Sequence, residues 1–414
     1  MVREGTKPDA NIPSILGGAV RLRVVLGLAS AALVVPAVML YTASIPLRSA
    51  ILLMGIPTIF GTALKGLASA YFQVEQEMKF IALMNLLGAL ILGLSLVVGV
   101  VLSGSVATLA SAYGLAAVAA GVAGAYLMLR RVRPTRGAAV PLLRGLPAFT
   151  AAGFLGLLIP QLGPLVLPKV APLAETGHYS AAFRIPGFLY ALPSVVAVAF
   201  FPQLFAYGNQ RSPLHTDLVT RELRVMSFLG LLMAIPVSLN ATWVIRVLFG
   251  ADWAARSGPA LAVLSWIVAV QCVSIPLGDA LTTQGLQSRR AGVMAVSASV
   301  GICLFWLLAR RWGAVGGAWA ALVLEVALAA GYLLANPARR TTVVRGLVPV
   351  GPKLVLGLGL CLVMRWAMGE GVLSGAAMGV AITGAGLALD RDLRAMAWRA
   401  IGAARVGLRH MRPR

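Results

Sequence analysis

Charge is what this sequence has least of. Only 12% of its 414 residues are Asp, Glu, Lys or Arg, about half the ~25% usual in soluble domains. Such a chain cannot cover itself with a water-compatible surface, so a soluble enzyme and a disordered tail are excluded at once. Acid is scarcer still, 13 Asp and Glu against 35 Lys and Arg. A membrane-embedded polymerase or glycosyltransferase would want paired acids at a span mouth or a large extracytoplasmic loop, and neither is present. Histidine and cysteine number three each. His178, His215 and His410 fall at span ends or in loops, which argues against a buried histidine relay. Cys272, Cys303 and Cys361 sit in apolar stretches without metal-ligand spacing and read as small packing residues. No Gly-x-Ser-Gly with a buried histidine occurs, so an intramembrane serine protease is not expected. The expectation is a non-enzyme without metal, cofactor or catalytic residues.

Apolar sequence is there in abundance: 59% of residues are hydrophobic and the mean hydropathy is +0.88. About 20 apolar residues cross the ~30 Å hydrocarbon core as a helix. Twelve such stretches follow one another, at 24–43, 49–72, 80–102, 106–129, 145–168, 179–206, 224–247, 259–281, 291–309, 314–335, 348–367 and 371–389. Alternating barrel-strand patterns are absent, and only helices satisfy every backbone polar group without water. The fold class is therefore an all-α polytopic membrane protein. The longest connection, 207–223, leaves no room for a soluble domain, and no cleavable signal peptide is expected.

The basic excess sets orientation. With residues 1–23 cytoplasmic, the same side collects the Arg-rich segment from Arg130 to Arg136, Arg289-Arg290, Arg339, Arg340, Arg345 and the tail from Arg391 to Arg414. This fits the positive-inside rule, with Arg310-Arg311 as the exception. Nucleic-acid patches lie on folded soluble surfaces with aromatics, so no nucleic acid partner is expected.

Gln73-x-x-Gln76-x-x-Lys79 and Gln284-x-x-Gln287-x-x-Arg290 each precede a long apolar helix at a cytoplasmic junction, with an offset of 211 residues. The same offset places Ala107 and Ala110 over Ala318 and Ala321. Both copies share one membrane orientation, as in a parallel repeat. The six-helix unit from 145 to 335 then matches only four helices upstream, so the first lobe is expected to lack its opening helical pair. The expected organisation is a cytoplasmic segment (1–23), an incomplete four-helix lobe (24–129), a basic linker (130–144), a six-helix lobe (145–335), two further helices (336–389) and a basic amphipathic tail (390–414) on the anionic cytoplasmic leaflet.

The stretch Gly177-His178-Tyr179-Ser180-Ala181-Ala182-Phe183-Arg184-Ile185-Pro186 resembles the signature after the seventh helix of bacterial polysaccharide and oligosaccharide flippases. Phe201-Pro202, Val247-Leu248-Phe249-Gly250 and the run from Trp312 to Ala318 resemble later landmarks of that family, which belongs to the multidrug/oligosaccharidyl-lipid/polysaccharide exporter superfamily. The resemblance implies movement of a polyprenyl-pyrophosphate-linked oligosaccharide across the cytoplasmic membrane, by two lobes opening alternately around a cationic cavity. Membrane lipids would be partners, with a polysaccharide polymerase and glycosyltransferases as possible ones. A peptidoglycan precursor flippase and a cation-coupled drug exporter are the rivals within the superfamily.

Few charges lie inside the spans. Arg184, about 5 residues or ~8 Å below the outer surface, either snorkels to that interface or binds pyrophosphate bidentately. Lys65 faces the same choice nearer the cytoplasmic end. Glu325 stands near the bilayer centre, where an ionised carboxylate is costly. It would carry a coupling proton, bind Na⁺, pair with Arg184 or Lys65, or remain a protonated packing group. Asp279 reads as interfacial, with coupling as its functional alternative. Lys169, Arg246, Lys353 and Arg365 read as anchors. Pro160, Pro164, Pro168 and Pro172, with Pro186, Pro193 and Pro202, mark the 145–206 pair as a bent, candidate moving element. The Gly371, Gly375 and Gly379 stripe suggests close packing of the last helix on the one before it.

Overall fold

The computed structural model describes residues 11–42, 44–75, 77–102, 104–135, 146–208, 213–389 and 394. The expected tail helix over 390–414 therefore lies outside the described residues, apart from Arg394. No strand occurs among the described residues. By its internal contacts the chain divides into two units, Met1–Pro147 and Ala148–Arg414.

The first unit contains four long helices, α1 (Ile12–Tyr41), α2 (Ile45–Val74), α3 (Met78–Leu102) and α4 (Val106–Leu129). Their ends are set by local chemistry. The Asn11 side chain accepts from the Ser14 amide at 3.2 Å, and Ser105 accepts from Thr108 at the same distance, each satisfying one orphan amide of a first turn. Small residues bring α2 and α4 together: a Cβ on Gly61 would meet the Ala117 backbone, and one on Gly121 the Gly61 carbonyl. Without a hydrophobic drive between helices in lipid, such close backbone approach supplies the packing. At the α2–α3 junction Arg131 pairs with Glu77 and lies over the Phe80 ring, 4.6 Å from its centroid.

Of the second-unit prolines Pro160 falls at a break, whereas Pro168 and Pro186 lie inside continuous helices. The 145–168 stretch becomes α5 (Leu146–Leu158), a 3-10 turn at Ile159–Gln161 containing Pro160, and α6 (Leu162–Val170). The 179–206 stretch is broken at Tyr190 into α7 (Leu173–Leu189) and α8 (Ala191–Gly208). Next come α9 (Pro213–Leu239), α10 (Ala241–Phe249) and α11 (Ala251–Thr283). Helix α9 begins well before the expected span at 224 and takes up most of what the sequence suggested was the longest loop.

Helix α12 (Gln287–Ala335) is assigned as one element of 49 residues, yet Trp312 (φ −125°) and Gly313 (φ 54°) inside it are not helical. Its two arms run antiparallel: a Cβ on Gly316 would meet Leu308, one on Gly301 Leu324, and one on Gly331 Val293. These pairs are symmetric about position 312, so α12 is a hairpin and supplies the two spans expected at 291–309 and 314–335. The positive φ at the reversal suits Gly313, whose missing Cβ also leaves room for the Glu175 carboxylate. That carboxylate accepts from the Ala314 amide at 2.8 Å and caps the second arm.

The chain closes with α13 (Arg339–Thr342), a π turn at Val343–Leu347, α14 (Val350–Met368) and α15 (Val372–Leu389). Among the described residues ten helices are long and apolar enough to cross a membrane, and Val372–Gly386 is a shorter apolar one. Dividing α12 at its reversal recovers all twelve expected stretches. Helix α15 does pack on α14, but through Met378 and Ile382 against Cys361 and Gly357. A Cβ on Gly371 or Gly379 would meet nothing within 4 Å, so the glycine stripe is not the packing surface. Lys353 is a second correction: it is 4% exposed, buried in the bundle instead of anchoring at an interface.

Large apolar side chains cover the outside. Leu33 is 71% exposed, Leu94 68%, Phe188 81% and Val380 74%. Contiguous apolar surface on this scale is not tolerated by a soluble monomer and is what lipid requires. The protein is a multi-pass membrane protein.

Candidate functional site

The core of the second unit leaves a cavity of about 310 Å³ between the 3-10 turn at Pro160, α7, α11 and both arms of α12. Most of its wall is apolar, as membrane helices dictate. The polar exceptions converge: Tyr190 from the end of α7, Gln271 and Ser274 one turn apart on α11, Arg290 from the first arm of α12, and Glu325 and Tyr332 from the second. Glu325 and Tyr332 are seven residues, two helical turns, apart and so share a face. Pro160 and Pro186 also line this space. The backbone breaks thus sit where helices border a cavity, the place where freed backbone groups are tolerated.

Glu325 is 8% exposed. The Ser274 hydroxyl donates to its Oε1 at 2.7 Å. Among the described residues no ion pair joins it to Arg184, one of the partners the sequence offers for it. Asp279 is 9% exposed, buried where the sequence suggested an interfacial residue. It faces Arg290, with Nη1 3.6 Å from Oδ1. Arg290 also donates to the Thr282 hydroxyl at 2.5 Å and stands 6.0 Å from the Tyr332 ring centroid. Its Nε has no hydrogen-bond partner. The structure therefore brings two of the four candidate residues, Glu325 and Asp279, to one polar region, the first directly and the second through Arg290.

Arg184 does not join them. Arg184 is on α7 beside Phe183 and Pro186, which line the cavity, but is itself exposed and not part of the wall. Lys65 belongs to the first unit. It is half-buried on α2, with Nζ 3.8 Å from the position a Cβ would take on Gly88.

Three charged residues escaped the sequence reading. Arg290 was visible as a repeat marker and as one of a basic loop pair, and neither signal pointed inward. Glu222 falls in the expected 207–223 loop; within α9 it is fully buried, and among the described residues neither carboxylate oxygen has a hydrogen-bond partner. Arg23 counted toward the cytoplasmic segment, yet it stands within α1 and donates to the Ala63 carbonyl at 2.5 Å, against Gly66 of α2. A run of apolar residues on both sides of Arg23 was the available signal.

Chemically, the second-unit cavity offers one carboxylate with hydroxyl and amide oxygens close by, and one guanidinium already facing an acid. That equipment suits a small cation or proton. Residues 22–257 match the model of a family described as polysaccharide biosynthesis protein. No curated protein sequence matches the chain. Among solved structures, a lipid II flippase, MurJ, in its inward closed conformation superposes with a TM-score of 0.69 at 13% identity. The alignment covers 94% of this chain and 86% of that one; at such identity the likeness shows the fold alone. The family match takes in more than half of the chain and bridges both units, so the protein belongs to the polysaccharide biosynthesis protein family.

Proposed function

We propose that the protein is a flippase that moves a polyprenyl-pyrophosphate-linked oligosaccharide from the cytoplasmic to the outer leaflet of the cytoplasmic membrane, by alternating exposure to the two faces. The observation that carries this reading is the family match on a chain made of membrane-crossing helices joined by short turns. A polysaccharide biosynthesis protein so built has its contribution to make inside the bilayer, and the step that needs a bilayer protein is headgroup translocation. A pyrophosphate carries charge that hydrocarbon will not admit.

In this reading Arg184 and Lys65 bind the anionic headgroup. A guanidinium suits it by permanent charge and bidentate geometry. Glu325 and Asp279 serve coupling. Asp279 already faces Arg290, which leaves Glu325 as the acid free to take a proton or Na⁺. A space of about 20 Å³ beside Glu325 and Gln271 is enough for one water-sized occupant.

The test is reconstitution in vesicles with a fluorescent polyprenyl-pyrophosphate oligosaccharide, scored by its accessibility to a membrane-impermeant quencher. Protein-dependent, saturable loss of protection supports the proposal, and transfer no faster than in empty vesicles refutes it. The likeness to the lipid II flippase favours one second reading, a peptidoglycan lipid precursor as cargo. Preference for that lipid over oligosaccharide-linked carriers in the same assay would decide for it.

A further inference from the structure

Three cytoplasmic junctions of the second unit enclose a second cavity, of about 500 Å³: the start of α9, the α11–α12 turn and the α12–α13 break. One wall is apolar, from Leu286, Pro337 and Ala338, and the other is polar, from His215, Thr216, Gln284 and Arg289. The polar wall is built, not incidental. His215 is 2% exposed. The Gln284 amide donates to its Nδ1 at 3.1 Å, and its Nε2 is 2.8 Å from the Thr283 hydroxyl. That hydroxyl donates to the Asp279 carbonyl at 2.9 Å, an arrangement that suits a neutral ring with its proton on Nε2. Both ring nitrogens are thus occupied, and the histidine acts as a fixed wall that orients Gln284.

Arg289 is different. It is exposed, and among the described residues no acid or carbonyl pairs with it. Arg339 and Arg340, also exposed, begin the helix directly after Ala338. Asp217, the acid next in sequence to the lining residue Thr216, is engaged by Arg345, with Nη1 3.3 Å from Oδ1. The cavity is therefore a cationic recess with no carboxylate among the described residues of its wall, placed where helices leave the membrane on the basic side. Basic pockets between membrane helices at the cytoplasmic surface hold the head groups of anionic lipids, and a guanidinium fork matches a phosphate diester.

We infer that this recess binds the phosphate of an anionic phospholipid head group, with Arg289 as its principal contact, independently of what the protein carries across the membrane. The experiment uses the full-length protein purified in detergent. Phosphatidylglycerol or phosphatidylcholine is titrated in, and bound lipid is counted by native mass spectrometry, with sodium phosphate as competitor. Arg289→Gln and Arg289→Glu should each lose about one phosphatidylglycerol per protein, or weaken its binding about tenfold. Arg311→Gln, on the opposite end of the α12 hairpin, should bind as the parent does. All variants should elute as monodisperse species, since Arg289 is exposed. Equal phosphatidylglycerol occupancy in the parent and in Arg289→Gln would overturn the inference. So would equal retention of phosphatidylcholine by the parent, or displacement of the lipid by millimolar phosphate, which would assign the recess to a soluble anion.

Discussion

Arg290 and Asp279 face each other across the α11–α12 turn, Nη1 to Oδ1 3.6 Å, with the arginine reaching into the second-unit cavity and the aspartate beneath it. The guanidinium is divided between this acid and the Thr282 hydroxyl, which leaves Nε unpartnered. The pair fixes the helix turn and at the same time puts a cation in a cavity whose other charged lining residue, among the described ones, is Glu325.

Removing both members should therefore cost less than the sum of removing each. Breaking a buried ion pair from one side leaves an uncompensated charge and costs up to about 3 kcal/mol. Asp279→Asn and Arg290→Gln are each expected to lower the apparent Tm in detergent. The double variant should fall well short of the sum of the two. Additive losses in this double-mutant cycle would mean that the two charges do not stabilise each other.

Glu325→Gln tests coupling without disturbing packing. The amide has nearly the same shape as the carboxyl and keeps an oxygen for the Ser274 hydroxyl, so the variant should reach normal membrane levels. Transport in vesicles should continue but lose its dependence on an imposed proton or sodium gradient. An unaltered response to both gradients would remove Glu325 from coupling.

Arg184→Ala is expected to reduce surface polysaccharide several-fold in the native host while leaving membrane insertion intact. The side chain is exposed on α7, so its removal costs little packing, and a loss of export must come from its chemistry. Normal polymer export at normal protein level would return Arg184 to the role of an interfacial anchor.

The reversal within α12 gives a stability prediction. Gly313 has φ 54°, and its missing Cβ leaves space for the Glu175 carboxylate that caps Ala314. Gly313→Ala would impose on an alanine a positive-φ conformation (φ 54°, ψ −131°) that glycine alone adopts readily, costing about 1–3 kcal/mol, and would push against the cap. Glu175→Gln should cost less, about 0.5–1 kcal/mol, through loss of the charge at a helix N-terminus. Fluorescence-detected size-exclusion thermostability would order the variants: Gly313→Ala below Glu175→Gln, and both below the parent.

These residues also show what the sequence reveals and what it hides. Hydropathy is a local property, so the twelve apolar stretches and the Trp312-Gly313 break between two of them were readable in order. Pro160 marks a break for the same reason, and Pro160 and Pro186 fall beside the cavity. The direction in which a charged side chain points is not local. Arg184 and Phe183 are neighbours in sequence, but about 100° apart around the helix, and only the packing of α7 decides which faces the cavity. Glu222 stayed hidden because a membrane helix can run past the bilayer into a polar first turn. Arg290 stayed hidden because counting basic residues to fix orientation treats every arginine at a junction as outward-facing.

Glu222 carries the last prediction. It is fully buried in α9, both its oxygens lack hydrogen-bond partners among the described residues, and Ser227 nearby on the same helix has an unpartnered hydroxyl. A buried polar group left unsatisfied costs about 1–3 kcal/mol, whereas an apolar side chain of similar volume is often neutral or better. Glu222→Met should therefore raise the apparent Tm of the purified protein, and Glu222→Gln should change it little. If transport persists in the methionine variant, the acid is a packing liability with no part in the cycle. A stabilised protein that no longer transports would show that the carboxyl is kept for function. A fall in Tm for Glu222→Met would show that the carboxyl has a stabilising partner in the folded protein and would overturn the prediction.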